Sequence, residues 1–298
     1  MIKKEIVSGC ELYLSSMEEV IPTLEKVDCI FTDPPYLYLK NHEFDKQFDE
    51  NLLFENAKRL LPDNGFIALF GRGTSFYRWN TVLAKMGFIF KEEIIWDKHR
   101  TSGVSKSISR VHETISLHTK KSGVIKQVYI PYEEMREGNY SAIKEDVKRI
   151  LGALENSEKL KKLENYLETK SEVYEMKQLV RYKTGYSTEY KINNFCARLK
   201  FIEKGIVEKS IISLPRTIVA PVHPTEKPVR LAERIITLIS DPGDIIYDPF
   251  MGSGSFGEAC LNTGRKYIGS EINPEYFEIA CNRLKNILIQ TSLFEDAE

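Results

Sequence analysis

Short apolar runs alternate with helix-period stretches over the first 120 residues of this 298-residue chain. Lys4–Val7, Val27–Thr32 and Gly65–Gly71 have the length and apolar character of strands, as does Phe88–Trp96. Between them, Asn51–Leu61 and Thr74–Met86 carry apolar residues at helical spacing. Strands alternating with helices of this length predict a mostly parallel sheet covered on both faces. The pattern then changes. Asp97–Arg110 is polar and aperiodic and reads as a surface loop, and Glu113–Thr119 as a return strand. From Ser141 to Val180, Ile143, Val147, Ile150 and Leu154, then Leu160, Leu163 and Leu167, fall at helical spacing and predict two or three helices. After Pro215 the alternation resumes: helix Val229–Ile239, strand Asp244–Tyr247, helix Phe256–Asn262, strand Lys266–Gly269 and helix Glu275–Leu288. The expected organisation is one α/β domain in two pieces, 1–124 and 213–298, split by an insert over 125–212.

Composition narrows the setting without choosing a partner. A chain that is 42% hydrophobic and 29% charged is ordinary for a globular protein. The formal net charge is −1, so any nucleic-acid surface must be a local patch. Five scattered cysteines with no CxxC pair favour reduced thiols over a disulfide frame or zinc site. No apolar stretch reaches the roughly 18 residues of a membrane span, and the amino terminus lacks the apolar core of a signal peptide. These features lead to the expectation of a cytoplasmic protein without a membrane partner or a metal.

Two loops carry candidate chemistry. Thr32-Asp-Pro-Pro-Tyr36 follows directly on an apolar strand. Consecutive prolines fix two φ angles, remove two amide donors and push the preceding residues to extended geometry. The product is a stiff loop at a strand's carboxyl end, where open α/β sheets bind ligands. Asp33 and the Pro34 carbonyl can each accept one N–H of a base amino group. That aims the nitrogen lone pair at a methyl donor, and Asp33 stabilises the positive charge that develops. Tyr36 can stack on the base, worth about 1–3 kcal/mol by analogy with other base–aromatic contacts. Such a base must leave the duplex first. Read blandly, the same residues form an ordinary strand-to-loop turn.

The second loop, Asp248-Pro-Phe-Met-Gly-Ser-Gly254, links a strand to a helix, and Glu271 lies just after the next strand. Glycines let backbone approach a ligand, and an acidic residue at that place can accept ribose hydroxyls. By itself this loop indicates a nucleoside cofactor. Gly252, Gly254 and Gly257 also satisfy the G-x-G-x-x-G pattern, so a nicotinamide oxidoreductase is a competing reading, one that leaves Thr32–Tyr36 without purpose.

Read together, four stretches in a set order resemble the β group of DNA amino-methyltransferases: TDPPY at 32–36, IIWDK at 94–98, HPTEKPVRLAERII at 223–236, and DPFMGSGSFGEAC through Leu284. The resemblance covers about two thirds of the chain. It implies a seven-stranded mixed, mostly parallel sheet of the S-adenosylmethionine-dependent methyltransferase type. Residues 1–124 would be the catalytic half, 213–298 the cofactor-binding half, and 125–212 a mainly helical target-recognition insert. Asp33, Pro34, Pro35 and Tyr36 would form the base pocket. Asp248, Phe250, Gly252, Ser253 and Gly254 would wrap the cofactor, with Glu271 on its ribose and Thr225 and Lys227 near its methionine end. Family members often carry Gly-Asp-Cys on the first strand. The expected equivalent here, Ser8-Gly9-Cys10, has no carboxylate, which weakens one contact to the cofactor adenine.

The activity implied is site-specific methylation of adenine N6 in double-stranded DNA by base flipping and direct transfer. In the family, Asp at position 33 goes mostly with adenine, so cytosine N4 is the alternative, and a non-catalytic cofactor- and DNA-binding subunit is an alternative of another class. Lys98, Arg100, Lys106 and Arg110 lie in one basic segment, and Arg181, Lys183, Lys191, Arg198 and Lys200 in another. Basic residues interleaved with Tyr and Ser suit phosphate contacts, although a solvated charged surface has the same composition. His112-Glu113 reads as a strand-edge contact. A homodimer and a companion restriction endonuclease are left open.

Overall fold

The computed structural model describes residues 2–36, 47–98, 108–109, 111–136, 139–155, 201–215 and 226–295. It divides into two compact units, Met1–Lys126 with Lys209–Glu298, and Gln127–Glu208.

The larger unit is built on one sheet. Its strands are β1 (Lys3–Val7), β2 (Cys10–Leu14), β3 (Cys29–Thr32), β4 (Phe66–Gly71), β5 (Ile89–Asp97) and β6 (His112–Thr119), then β9 (Ile211–Ser213), β10 (Ile245–Asp248) and β11 (Lys266–Glu271). They lie in the order β1-β2-β11-β10-β3-β4-β6-β5-β9. β1 and β6 run against the other strands of this mixed sheet. The resemblance leads one to expect seven strands, and the sheet has nine among the described residues. The two additions are edge strands. β1 is made by a two-residue turn in which Ser8 and Gly9 have φ of 54° and 77°, the backbone of a type I′ hairpin. β9 adds three residues beside β5, too short for a period-2 pattern to be legible.

β3 and β4 are buried at every position, as strands covered on both faces must be. Alternate side chains divide between two cores. On one face Ile30, Ile67 and Leu69 join Leu53, Phe54, Ala57 and Leu60 of α2 (Glu50–Leu60) and Trp79 and Leu83 of α3 (Gly73–Lys85). The four α2 residues form one helical stripe, and the Asp49 carboxylate caps that helix on the Leu52 amide at 2.9 Å. The short helix α1 (Met17–Val20) places Met17 and Val20 in the same core.

On the other face, Phe31 stacks on Phe256 at 4.2 Å between ring centroids, and Phe70 lies 5.8 Å from the same ring. Phe256 belongs to α7 (Ser255–Asn262), which packs with α6 (Val229–Ile239) and α8 (Pro274–Glu295). Aromatic pairs of this kind add about 0.5–1.5 kcal/mol each beyond area burial. They seat the helix whose amino-terminal loop is Asp248–Gly254.

The smaller unit pairs β7 (Tyr129–Ile130) with β8 (Ile206–Val207) and contains α4 (Tyr132–Arg136) and α5 (Tyr140–Leu154). Buried Asp146 accepts from Arg136 at 2.9 Å and from Tyr132 at 3.1 Å, tying the two helices. The helical expectation over Ser141–Val180 is met by α5 as far as Leu154, and 156–180 lie outside the described residues. Among the described residues, no helix is long and apolar enough to cross a membrane.

Candidate active site

β3 and β10 are hydrogen-bonded neighbours in the middle of the sheet. β3 leads onward to β4 on one side, and β10 to β11 on the other. The two candidate loops therefore emerge side by side at the point where the strand order reverses, the usual ligand crevice of an open α/β sheet.

A single carboxylate joins them. Asp248 at the end of β10 is 1% exposed. Its Oδ1 accepts from Thr32 Oγ1 at 2.8 Å and from the Phe250 amide at 3.0 Å, and its Oδ2 accepts from Tyr267 Oη at 3.2 Å. Burial pushes this carboxyl up to about 7, against the pull of those donors. Thr32 immediately precedes Asp33. Asp248 thus ties the Asp33 loop to the glycine loop, and both its oxygens face protein donors.

Asp33 accepts from Tyr36 Oη on Oδ1 and from Lys227 Nζ on Oδ2. Lys227, next to the Pro228 cap of α6, is 6% exposed, and its ammonium also lies 3.4 Å from Glu113 Oε2 and 5.0 Å from the centre of the Phe70 ring. Glu113 Oε1 accepts from Lys98 Nζ at 2.9 Å. The result is a row of alternating charge: Asp33, Lys227, Glu113, Lys98. Burial raises the Asp33 carboxyl above its ordinary value, with Lys227 opposing the rise and Glu113 adding to it. Burial opposes the charge of Lys227 too, but the two carboxylates outweigh it and hold its pKa above the usual value. Glu113, despite burial, is brought down to about 2 by Lys227 and Lys98.

An aromatic wall stands beside Asp33. The Tyr36 and Trp79 ring centres are 6.2 Å apart, Trp79 and Phe48 are 6.0 Å apart, and Phe48 meets Phe250 edge-on at 4.9 Å. Ser75 Oγ donates to the Tyr36 carbonyl at 2.9 Å and anchors the loop to α3.

In the glycine loop, Gly252 and Gly254 have φ of 52° and 79°, backbone open to glycine and strained for other residues. A Cβ on Gly254 would lie 2.9 Å from that of Ala280. Ser253 is buried. Glu271, at the end of β11, accepts from the Gly252 amide at 3.0 Å and the Asn273 amide at 2.8 Å, and burial raises its carboxyl.

Several expected roles meet a different geometry. Lys98 is 16% exposed on its side chain and pairs with Glu113, which sets it in the charge row. Ser8-Gly9-Cys10 is the β1–β2 turn. Because β2 runs parallel to β11 with Leu14 opposite Glu271, that turn lies at the other end of the sheet from Glu271. At the Glu271 end stand Ser15, whose amide donates to the Glu271 carbonyl at 3.0 Å, and Glu19, which accepts from Ser15 Oγ. The departure expected at Ser8–Cys10 therefore has no bearing on the cofactor loop. Thr225, Arg100, Lys106, Arg110, Arg181, Lys183, Lys191, Arg198 and Lys200 lie outside the described residues. Sequence reasoning quotes Thr32 in its motif without the Asp248 contact, and misses Glu113, Tyr267, Trp79 and Phe48. The one signal for them is the His112-Glu113 pair, and only the antiparallel insertion of β6 beside β4 gives Glu113 its place.

A family model, N6_N4_Mtase, described as DNA methylase, matches residues 27–282. The DNA adenine methyltransferase YhdJ of Escherichia coli (strain K12) is 52% identical over 62 residues, 21% of this chain and 21% of that protein. In that match the chain spans about a fifth of the relative's length. The type II methyltransferase M2.DpnII of Streptococcus pneumoniae is 28% identical over 283 residues, 88% of this chain and 83% of the relative. Among solved structures, the M1.HpyAVI–SAM complex superposes with a TM-score of 0.53 at 23% identity, covering 91% of this chain and 98% of that one. The cytosine-N4-specific PvuII DNA methyltransferase gives 0.54 at 13% identity, with 92% of each chain covered. At these identities both structures speak for the fold alone.

Proposed function

The chain belongs to the N6/N4 DNA methylase family, and from that premise we propose that it transfers the methyl group of S-adenosylmethionine to adenine N6 at a specific site in duplex DNA. The observation that carries this reading is the single buried carboxylate, Asp248, joining the Asp33–Tyr36 loop to the Asp248–Gly254 loop. A base pocket and a cofactor pocket built on adjacent strand ends are what direct transfer between two bound molecules needs.

The residues fit such a cofactor. Glu271 has a carboxylate beside Gly252 suited to ribose hydroxyls, and Gly252 and Gly254 keep the backbone bare. Phe250, at the edge of the aromatic wall, offers an apolar face. When bound, S-adenosylmethionine supplies an electrophilic methyl whose bond to sulfur breaks with the electron pair left on sulfur. Asp33 and the Pro34 carbonyl receive the two N–H groups of a flipped-out base and orient the nitrogen lone pair. Tyr36 covers the base face. The Asp33 carboxylate stabilises the charge that develops on nitrogen, and it is the group we assign to take the proton the alkylated amino group sheds. Adenine is preferred to cytosine because Asp stands at position 33, and the match to a relative named as an adenine methyltransferase supports that preference. We assign target recognition to the 125–212 insert with the basic segment 181–204, and DNA contact to the basic segment 97–110.

The test is mass spectrometry of nucleosides from unmethylated DNA incubated with cofactor and protein, with Asp33→Ala alongside. N6-methyladenine is expected from the wild type, and a loss of at least about 100-fold from the variant. N4-methylcytosine would overturn the base assignment. Cofactor binding without any methylated base would indicate a non-catalytic subunit.

A further inference from the structure

Both oxygens of Asp33 already hold a donor, Tyr36 Oη on one and Lys227 Nζ on the other. An incoming amino group must share Asp33 with them, and a Lys227 ammonium held there offsets the carboxylate charge that the reaction uses. Drawing the Lys227 ammonium off Asp33 within a buried site needs an acceptor to take that carboxylate's place. The structure offers it a second acceptor. Glu113 Oε2 accepts no hydrogen bond among the described residues, although it is buried and lies 3.4 Å from Lys227 Nζ. Closing that gap to the 2.7–2.9 Å of a charged hydrogen bond takes a shift of only about half an ångström. Glu113 is itself held by Lys98 at 2.9 Å on its other oxygen, and Lys227 keeps the face of Phe70, 5.0 Å from its ammonium.

We propose that Glu113 is a positioning residue that receives the Lys227 ammonium when the target amino group takes Asp33, so that the Asp33 carboxylate is free to hold an N–H and to face the developing charge. The proposal rests on the methyl-transfer reading above. Glu113 acts through Lys227 and touches neither base nor cofactor. Without it, Lys227 stays on Asp33 and cancels the negative charge needed late in the reaction. The loss falls on turnover and leaves cofactor binding alone.

The experiment compares wild type and Glu113→Gln in steady-state transfer of labelled methyl to unmethylated genomic DNA, with cofactor affinity measured separately by calorimetry. The variant is expected to lose kcat by at least about tenfold, with cofactor Kd and the KM for DNA changed by less than about threefold. Its deficit should also shrink as pH is raised from about 7.5 to about 9.5. Removing Glu113 removes one of the charges that keep Lys227 protonated, and a neutral amine releases Asp33. A structural defect would give no such alkaline recovery. Unchanged kcat overturns the proposal, as does a loss shared with cofactor affinity or one that is flat with pH. If Glu113→Gln does not fold, Glu113→Asp carries the kcat and cofactor-affinity arms of the test, because the carboxylate is drawn back from Lys227 while its charge, and so the pH profile, is kept. Absence of methyl transfer by the wild type would overturn the underlying reading. Transfer present and unaltered in the variant would overturn this proposal alone.

Discussion

At the scale of residues, Asp248 makes stability depend on pH. Its folded carboxyl stands near 7 because of burial, whereas an unfolded aspartate titrates near 3.9. Between those values the folded state holds a proton that the unfolded state has lost, so stability contributed by this group falls as pH rises from about 4 to about 7 and is level above. At roughly 1.4 kcal/mol for each pH unit between the two values, the swing is a few kcal/mol. Asn at this position keeps an oxygen for Thr32 and the Phe250 amide and cannot ionise. Urea unfolding should therefore show the wild type gaining on Asp248→Asn as pH is lowered from about 8 to about 5. Parallel curves for the two proteins would show that Asp248 is already ionised in the folded state.

The same scale shows what can be read from the chain. Asp33, Tyr36 and the glycines are legible because proline and glycine announce their backbone locally. Glu113 is not, because its partners Lys98 and Lys227 come from a different strand and from the approach to a distant helix. Composition makes Lys98 a surface cation, and pairing across the β5–β6 ladder, where Trp96 stands opposite Glu113, turns it inward.

At the scale of elements, two glycine turns at opposite ends of the sheet separate strain from function. Gly9 has φ of 77° with nothing within 4 Å of an added Cβ, whereas Gly254 has φ of 79° and would set its Cβ 2.9 Å from Ala280 Cβ. Gly9→Ala should cost about 1–2 kcal/mol of stability, the effect of left-handed backbone alone, and leave cofactor affinity intact. Gly254→Ala should lose cofactor affinity by about tenfold or more through displacement of its loop. Calorimetric titration of cofactor, with thermal unfolding of both variants, checks the contrast. Weakened cofactor binding in Gly9→Ala would contradict the placement of the β1–β2 turn. Periodicity finds the buried strands β3, β4 and β10 because burial on both faces leaves a continuous apolar run. It misses β2, whose Cys-Glu-Leu-Tyr-Leu sequence follows a two-residue turn with none of the Asn-Gly or Asp-Gly signal.

At the scale of the whole molecule, alternation of strands and helices is enough to predict an α/β sheet, but strand order is not written in alternation. β10 is inserted between β3 and β4 on one side and β11 on the other, so neither piece of the larger unit owns a complete sheet. Residues 1–126 alone would leave β3, buried at all four positions, with one bare edge, and β2 without β11. Bare apolar edges aggregate. This fragment should be insoluble when expressed by itself, as judged by sedimentation. A soluble, monomeric fragment would show that β10 is dispensable to the packing of β3.

The position of β10 also sets a clock for the nascent chain. From Thr32 to Ile245 is 213 residues, and at about 5–20 residues per second the ribosome needs roughly 10–40 s to cover that span. For that whole interval the first-made strands wait for their central neighbour. A polypeptide with this topology should depend on holding chaperones during translation far more than its modest size suggests, and slowing elongation within the insert should lower its soluble yield.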